Sequence, residues 1–283
     1  ISYAELVRKV ETIAAYLQNQ GIGEGDLIGI TANRSIDTLI SIYSIAAAGG
    51  VFLPVSTKYP DSKRKQIMDD SGMIAWIGNS PEETSFENEQ IKVFHLKEAL
   101  NFEGIYHQLA DQEDRLLYVL YTSGTTGMPK GVQVRQQAFL NRVDWQQNHY
   151  QLQSDDCVLH KTSLTFDVSM WEIFWPLMYG ARLHVLPENL ELDTQKLINI
   201  INREKVTVMH FVPSMLELFL DSTSGIRFSG LKQVYCSGEP LTSKHVDSFY
   251  GVFSRGKTRI TNLYGPTEAA IDVTYMDCDQ FTD

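Results

Sequence analysis

Short continuous apolar runs alternate with amphipathic helical patterns along almost the whole chain, and this alternation constrains its fold more than any other feature. Such alternation is typical of parallel sheets that helices cover on both faces. The apolar runs are more numerous than the strands of one small open sheet. The sequence therefore predicts an α/β fold of two similar lobes with parallel sheets covered by helices, about 1–135 and 136–283. The predicted strands span residues 27–30, 51–55, 74–77, 116–121, 158–161, 182–186, 206–211, 232–236 and 259–264.

The first two helices carry recognisable end signals. Ser2 and Glu5 stand in the capping-box pattern, in which each side chain can satisfy a free amide at the helix start. Gly21 then closes the first helix. A second helix is predicted over 35–48, before two glycines break it.

Charge and composition exclude several functions. The net charge of -11 argues against a nucleic-acid surface, because neutralising phosphates requires clustered Lys and Arg. No run is apolar and long enough to span a bilayer, and no secretory signal opens the chain. Cys157, Cys236 and Cys278 fit no metal-ligand spacing, which favours reduced thiols in a cytoplasmic protein.

The strongest local signal is Tyr121-Thr-Ser-Gly-Thr-Thr-Gly-Met-Pro-Lys130-Gly131, which follows a predicted buried strand. Glycines let backbone amides approach a polyphosphate, hydroxyls donate hydrogen bonds, and a lysine supplies charge. The order of residues is not that of the common P-loop. Taken alone, the run also fits a flexible Gly/Thr linker that carries a solvated lysine.

A second signal is Asn262-Leu-Tyr-Gly-Pro-Thr-Glu268. Tyr264 offers a ring for stacking a purine, Thr267 a hydroxyl for a phosphate, and Glu268 a hard oxygen ligand for Mg²⁺. Taken alone, Gly-Pro is ordinary turn chemistry. An ordinary turn is a remote interpretation when both motifs occur in one chain, separated by a distance that one nucleotide-binding fold can accommodate.

Together these motifs resemble the signature segments of the adenylate-forming (AMP-binding) superfamily. Four further segments, at 2–6, 47–54, 166–172 and 237–240, resemble motifs of non-ribosomal peptide synthetase adenylation domains. In that subfamily, the residue at the position of Asp167 binds the α-amino group of the substrate. The resemblance covers nearly the whole chain, with modest departures at Ser56-Thr57 and His160.

The resemblance implies that an amino acid reacts with ATP to give aminoacyl-AMP and pyrophosphate. The catalytic residues would be Lys130, Thr267 and Glu268, with Glu268 also binding Mg²⁺. The implied ATP-binding residues are Thr122, Ser123, Gly124, Thr125, Thr126, Gly127, Gly238, Glu239, Pro240, Asn262, Tyr264 and Gly265. The acyl group would then pass to the phosphopantetheine of a peptidyl carrier protein, so the expected partners are that carrier and neighbouring synthetase domains. No nucleic acid or membrane partner is expected.

The resemblance also implies an amino-acid pocket, which is similar to the pocket of serine-activating domains. Its residues would be Asp167, Val168, Trp171, His210, Tyr235, Ser237, Leu263, Ile271 and Asp272. Serine or a close hydroxylated relative, such as an α-substituted serine, is the expected substrate. Tyr235 departs from the usual Leu. Without the resemblance, Asp167 reads equally as a helix N-cap, Trp171 as core and His210 as a structural histidine.

The family's ribose-binding segment and its small C-terminal domain, with a catalytic lysine, are expected beyond Asp283. The chain also begins without Met, so we expect a partial core that is poorly active by itself. Two other functions stay open: an acyl-CoA or aryl-acid ligase of the same superfamily, and a non-catalytic nucleotide-binding module.

Overall fold

The structure is a computed structural model that describes residues 1–78, 90–110, 114–123, 128–223, 225–226, 228 and 230–278. The chain forms two compact units. Unit 1 comprises Ile1–Asn141 and Ser163–Thr165, and unit 2 comprises Arg142–Thr162 and Phe166–Asp283. The lobe boundary that the sequence suggests near residue 135 stays a prediction.

Unit 1 is built on one six-stranded sheet with the strand order β4-β3-β1-β2-β5-β6. Its strands are β1 (Leu27–Thr31), β2 (Val51–Val55), β3 (Ala75–Gly78), β4 (Lys92–His95), β5 (Leu116–Ser123) and β6 (Pro129–Arg135). Its helices are α1 (Tyr3–Asn19), α2 (Ile36–Ala48), α3 (Asp61–Ser71) and α4 (Leu96–Ala99). All neighbouring strands are parallel except β5 and β6, which are antiparallel.

Unit 2 repeats this plan with the strand order β12-β11-β10-β9-β7-β8. Its strands are β7 (Cys157–His160), β8 (Arg182–Val185), β9 (Val208–Phe211), β10 (Gln233–Cys236), β11 (Arg259–Tyr264) and β12 (Thr274–Asp277). Its helices are α6 (Val168–Met178), α7 (Thr194–Arg203), α8 (Pro213–Asp221) and α9 (Ser243–Val252), with 3₁₀ turns at Leu190–Leu192 and Thr267–Ala269. Helix α5 (Gln136–Tyr150) crosses the boundary between the units. Only β12 is antiparallel to its neighbour.

Burial follows the alternation that the sequence shows. Strands β2, β3, β7, β9 and β10 are buried at every position, as expected for strands with a helix layer on each face. The cap of α1 is only half of the predicted box. Ser2 accepts from the Glu5 amide at 3.2 Å, whereas the Glu5 carboxylate pairs with Lys9 at 3.4 Å.

The α/β class and the two-lobed plan are confirmed, and every predicted strand lies on an observed one. The sheets are mixed at one edge only, because each ends in one antiparallel edge strand, β6 or β12. The sequence pattern also missed β4. Edge strands expose one side, so they lack the continuous apolar run that marks a buried strand. In β12, for example, three of the four residues are exposed.

Candidate active site

The register of the unit 2 sheet brings predicted pocket residues into one row. His210 on β9 is aligned with Tyr235 on β10, which is aligned with Thr261 on β11. Side chains at aligned positions of neighbouring strands point to the same face of a sheet. His210 and Tyr235 are therefore side by side, and Ser237 and Leu263, two residues further along, follow on that face.

The indole of Trp171, on helix α6, packs against this row. The ring centroid of Trp171 is 5.2 Å from that of Tyr235 and 6.3 Å from that of His210, both in edge-to-face geometry. Trp171 and Tyr235 are completely buried. The indole nitrogen of Trp171 has no hydrogen-bond partner among the residues that the structure describes. The Tyr235 hydroxyl also has no hydrogen-bond partner in the described structure, so the two large rings form a wall with two unused donors.

His210 and Ser237 are paired with each other. The distance from His210 Nε2 to Ser237 Oγ is 2.8 Å, and both side chains are buried. Burial, together with the nearby positive charge of Lys161, lowers the pKa of His210 to about 3. The imidazole is therefore neutral at physiological pH and acts in hydrogen bonding only.

Asp167 is both a helix cap and a perturbed acid. It is the N-cap of α6, and its carboxylate accepts from the Val168 amide at 2.8 Å. Burial raises the pKa of Asp167 to about 6, the Thr267 hydroxyl bond opposes this shift, and the negative charge of Asp272 adds to it. The N-cap role that the sequence left open is therefore observed, and the ammonium-binding role stays a prediction. A carboxylate that lacks a cation in such a place is suited to bind one.

Asp272 already has a cation. Its carboxylate is 2.8 Å from Arg142 Nη2 on α5, and both side chains are about 95% buried, with exposures of 4% and 5%. Burial raises the pKa of Asp272, and the Arg142 charge and hydrogen bond oppose the shift. Sequence reasoning missed Arg142, since a single arginine on an amphipathic helix normally reads as a surface residue.

Glu172 is a second group that sequence reasoning missed. It is completely buried on α6 and accepts from His160 Nδ1 at 2.8 Å and from the hydroxyl of Thr162 at 2.7 Å. The amides of Lys161 and Thr162 also donate to it. Burial by itself would raise the pKa of Glu172, but the hydrogen bond from His160 and the nearby charges of His160 and Lys161 lower it. The network fixes the chain just after β7.

The segment after β11 folds back on itself through unusual backbone. A Cβ on Gly265 would lie 2.5 Å from the Asp272 Cα and from the Ile271 carbonyl oxygen. Ala270 and Ile271 have φ of 59° and 83°, and such left-handed conformations are costly for non-glycine residues. Ile271 and Asp272 are thereby held against Gly265. The 3₁₀ turn between Gly265 and Ala270 contains Thr267 and Glu268.

The predicted adenine-binding residues lie on exposed backbone. Gly238, Glu239 and Pro240 follow β10 and are exposed, and the Tyr264 side chain at the end of β11 is 69% exposed. The Glu239 carboxylate accepts from the Ser214 amide and hydroxyl, each at 3.0 Å. Glu239 therefore ties the loop after β10 to the start of α8. Asn262, on β11, is half-buried.

Glu268 suits a magnesium ion shared with a nucleotide. It is exposed, and the described residues contain no group of three His, Cys, Asp or Glu side chains that could hold a metal. Mg²⁺ normally takes one or two carboxylates and fills its other positions with phosphate oxygens and water. Glu268 would hold Mg²⁺ in this manner, with ATP as the other ligand.

In unit 1, the predicted phosphate-binding residues lie at the end of the β5–β6 pair. Thr122 is aligned with Lys130, and Ser123 with Pro129. The sequence placed Lys130 in a loop, which is wrong, since it is the second residue of β6. The alternation of exposed and buried residues begins only at Val132, so the strand start had no pattern. Gly124, Thr125, Thr126 and Gly127 lie outside the described residues.

The comparisons with known proteins agree with this geometry. The chain matches the AMP-binding enzyme family over residues 1–283, and it belongs to that family. It is 40% identical over 286 residues to zwittermicin A synthase ZmaJ of Bacillus cereus, an alignment that covers 98% of this chain and 54% of ZmaJ. It is also 40% identical over 282 residues to vanchrobactin synthetase VabF of Vibrio anguillarum, covering 97% of this chain and 10% of VabF.

The fold is likewise that of a peptide synthetase. The crystal structure of the nonribosomal peptide synthetase FmoA3 matches with a TM-score of 0.89 at 23% identity, covering 98% of this chain and 30% of FmoA3. The chain thus spans about half the length of ZmaJ and smaller parts of VabF and FmoA3. Within the part of the chain that the structure describes, no helix is long and apolar enough to cross a membrane.

Proposed function

We propose that this chain is the large core of an adenylation domain that activates an amino acid as its aminoacyl-AMP, at the expense of ATP. The observation that carries the proposal is Asp167. Its carboxylate has no cationic partner among the residues that the structure describes, and it lies near enough to Thr267 for that hydroxyl to oppose the rise of its pKa. Thr267 is adjacent to the candidate magnesium ligand Glu268. An ammonium group at Asp167 would bring a substrate carboxylate within the same small site.

The reaction needs positioning more than covalent catalysis. The substrate carboxylate attacks the α-phosphorus of ATP, the bond to the bridging oxygen breaks, and pyrophosphate leaves. No bond to the enzyme forms, so orientation and charge stabilisation supply the rate. Thr267 would donate to the α-phosphate, and Lys130 would neutralise the β- and γ-phosphates. Bound Mg²⁺ supplies further charge to the phosphates. An AMPPNP-bound form of FmoA3 has been solved, which is consistent with a nucleotide at this fold.

The pocket favours a short side chain with a hydroxyl, and we propose serine or a close relative such as α-methylserine. Trp171 and Tyr235 fill the wall, so little room is left. A hydroxyl can exchange hydrogen bonds with the His210–Ser237 pair. Because His210, Ser237 and Asp272 already have partners, alanine would leave few of these groups unpaired. We expect a preference for serine over alanine of roughly tenfold.

In the intact enzyme, the aminoacyl group would pass to a phosphopantetheine thiol on a carrier protein. The thiolate would attack the acyl carbon and release AMP. The match covers 54% of zwittermicin A synthase ZmaJ and 10% of vanchrobactin synthetase VabF, so much of each relative lies outside it, which supports neighbouring synthetase domains as partners.

ATP–pyrophosphate exchange with a panel of acids tests the proposal in the intact enzyme. The panel contains serine, alanine, threonine, cysteine, α-methylserine and phenylalanine, with benzoate and a fatty acid beside them. Exchange that depends on an amino acid, with serine or α-methylserine fastest, is expected. A maximum with phenylalanine would overturn the serine proposal alone. Exchange only with benzoate or the fatty acid would identify another ligase, and no exchange with any acid would identify a non-catalytic module.

A matched pair of N-cap variants tests the role of Asp167. Asp167→Asn keeps a good capping side chain but removes the counter-charge, so kcat/KM for the amino acid should fall by about a hundredfold or more. Asp193→Asn is the control, because Asp193 is the exposed N-cap of α7 and accepts from the Lys196 amide. Its kcat/KM should equal that of the parent. Equal losses in both variants would contradict the assignment.

A further inference from the structure

Arg142 connects two walls of the amino-acid pocket. One guanidinium nitrogen donates to Asp272 at 2.8 Å and another donates to the Gln146 side-chain oxygen at 3.0 Å, one helical turn further on. Gln146 is completely buried, and its side chain and the Arg142 charge both lower the pKa of Tyr235 against the larger effect of burial. The guanidinium also lies 4.9 Å from the Trp145 ring centroid. Arg142 is thus held on several sides.

Among the described residues, the carboxylates of Asp167 and Asp272 interact with each other, and Asp272 is paired with the cation of Arg142. Asp167 and Asp272 are close enough for the charge of Asp272 to raise the pKa of Asp167. Two carboxylates that share a site and lack a cation cannot both ionise easily, so one of them retains a proton. With Arg142 bound to Asp272, one carboxylate is neutralised, and the other has no cationic partner within the described ranges.

We propose that Arg142 is a positioning residue of the amino-acid pocket, which neutralises Asp272 so that Asp167 is the carboxylate left to bind the substrate ammonium group. This inference rests on the proposed function. It also explains why a charged side chain is acceptable at Asp272 in a pocket for a small neutral side chain. An unpaired Asp272 would compete with Asp167 for the ammonium group and would turn the substrate.

Lys161, just after β7, is charged and lowers the pKa of His210, whereas the side chains that shift the pKa of Asp167 are Thr267 and Asp272. His210 on β9 is neutral, with its pKa lowered to about 3. Tyr235 on β10 is also neutral, because burial raises its pKa well above the usual value. Glu172 on α6 is bound to His160 and to two backbone amides. The ion pair therefore decides the charge that the substrate meets.

A double-mutant cycle in the intact enzyme tests the inference, with Arg142→Met, Asp272→Asn and the combined variant. Arg142→Met leaves Asp272 without its cation, so the two carboxyls should hold a proton at neutral pH that the ammonium group must displace. We expect the KM for the amino acid to rise about tenfold or more, with a small change in kcat. The acidic limb of the kcat/KM profile should move up by about one pH unit.

The combined variant should recover most of this loss. It has neither the second carboxylate nor the buried cation, so its KM should return to within about threefold of the parent. Asp272→Asn alone removes the charge that raises the pKa of Asp167, and its acidic limb should move to lower pH. Arg142→Lys keeps the charge and should lie between the parent and Arg142→Met.

Lys232→Met is the matched control. Lys232 pairs with the buried Asp156 at 2.7 Å in the same unit, so the variant also leaves an aspartate without its cation. Its melting temperature should fall, whereas KM and the pH profile should stay those of the parent. A purely structural role of Arg142 would give the same pattern as Lys232→Met.

The outcomes separate this inference from the proposed function. Amino-acid-dependent exchange in the parent, combined with unchanged KM and pH profile in Arg142→Met, would overturn the inference alone. A combined variant no better than Arg142→Met would do the same. A parent enzyme without amino-acid-dependent exchange would overturn both. If Arg142→Met does not fold, the KM for the amino acid and the position of the acidic limb are measured in Asp272→Asn, Arg142→Lys and the combined variant instead.

Discussion

The two units share a plan but place their functional side chains in opposite ways. Each has a six-stranded sheet in which five strands are parallel and one edge strand is antiparallel to its neighbour. In unit 2, the candidate residues are buried and bonded to one another, as the Arg142–Asp272 and His210–Ser237 pairs show. In unit 1, Lys130 and Ser123 are exposed at the end of a strand pair.

This difference predicts how each unit responds to substitution. Side chains that are bonded within a core contribute to stability as well as to binding, because removing one leaves a buried partner unsatisfied. An exposed side chain at a strand end contributes little to folding and is available to a ligand. Changes in unit 2 should therefore alter stability, activity or both, and changes at Lys130 should alter activity alone.

Glu172→Ala is expected to have the largest effect on folding. It removes one acceptor that serves His160, Thr162 and two backbone amides, so the free energy of unfolding should fall by about 3–5 kcal/mol. Glu172→Gln retains one acceptor oxygen and should cost about 1–3 kcal/mol. Urea denaturation measures both. Glu217→Ala is the control, because Glu217 is exposed and pairs only with Lys244 in the described structure. Equal midpoints for Glu172→Ala and the parent would contradict the prediction.

Lys130→Ala should show the opposite behaviour. Loss of one charge on the transferring phosphates should lower kcat for pyrophosphate exchange by about a hundred- to a thousandfold, while the melting temperature stays that of the parent. Arg135→Ala, on the same strand, is the control, since Arg135 pairs with Asp114. A melting temperature that falls together with the activity would show that the contrast between the units is wrong at this residue.

Gly265→Ala tests the folded-back segment of unit 2. The added Cβ would overlap backbone atoms of Ile271 and Asp272, so we expect a loss of about 1–3 kcal/mol in stability and a higher KM for the amino acid. Gly251→Ala on α9 is the matched control, because a Cβ there meets no atom within 4 Å. That variant should gain about 0.5–1 kcal/mol. Thermal unfolding and exchange kinetics measure both, and equal stability of the two variants would contradict the steric argument.

Asp167 should give the acidic limb of the pH profile. Its pKa is raised to about 6, so below about pH 6 the protonated acid cannot pair with the ammonium group, and kcat/KM should fall about tenfold per pH unit. A flat profile down to pH 5 would contradict this. The same shift means that the ionised form destabilises the ligand-free fold, and this cost appears as pH rises from about 4 through 6. Asp167→Asn should therefore gain about 1–3 kcal/mol at pH 7, measured by urea denaturation against Asp193→Asn.

The interior of each sheet was predictable because its residues report their surroundings locally. β2 and β3, for example, contain no polar side chain and are buried at every position, so an uninterrupted run was sufficient to find them. β6 and β12 were not found, because an edge strand with exposed positions lacks the continuous apolar run that marks a buried strand. The motifs around Lys130, Asp167 and Glu268 were recognised from a resemblance, and their roles remain proposals.

By itself, the sequence determined the α/β class, the repeated sheet and the family. Each depends on short-range patterns: apolar runs, helical periodicity and contiguous motifs. Only the tertiary structure decided the charges of the pocket, because Arg142 and Asp272 are 130 residues apart and meet through packing. The hydrogen bonds of Glu172 and the contact of Gly265 with Asp272 likewise appear only in the folded chain. Burial sets the cost of an unpaired charge, and burial is a property that the chain acquires only when its distant segments come together.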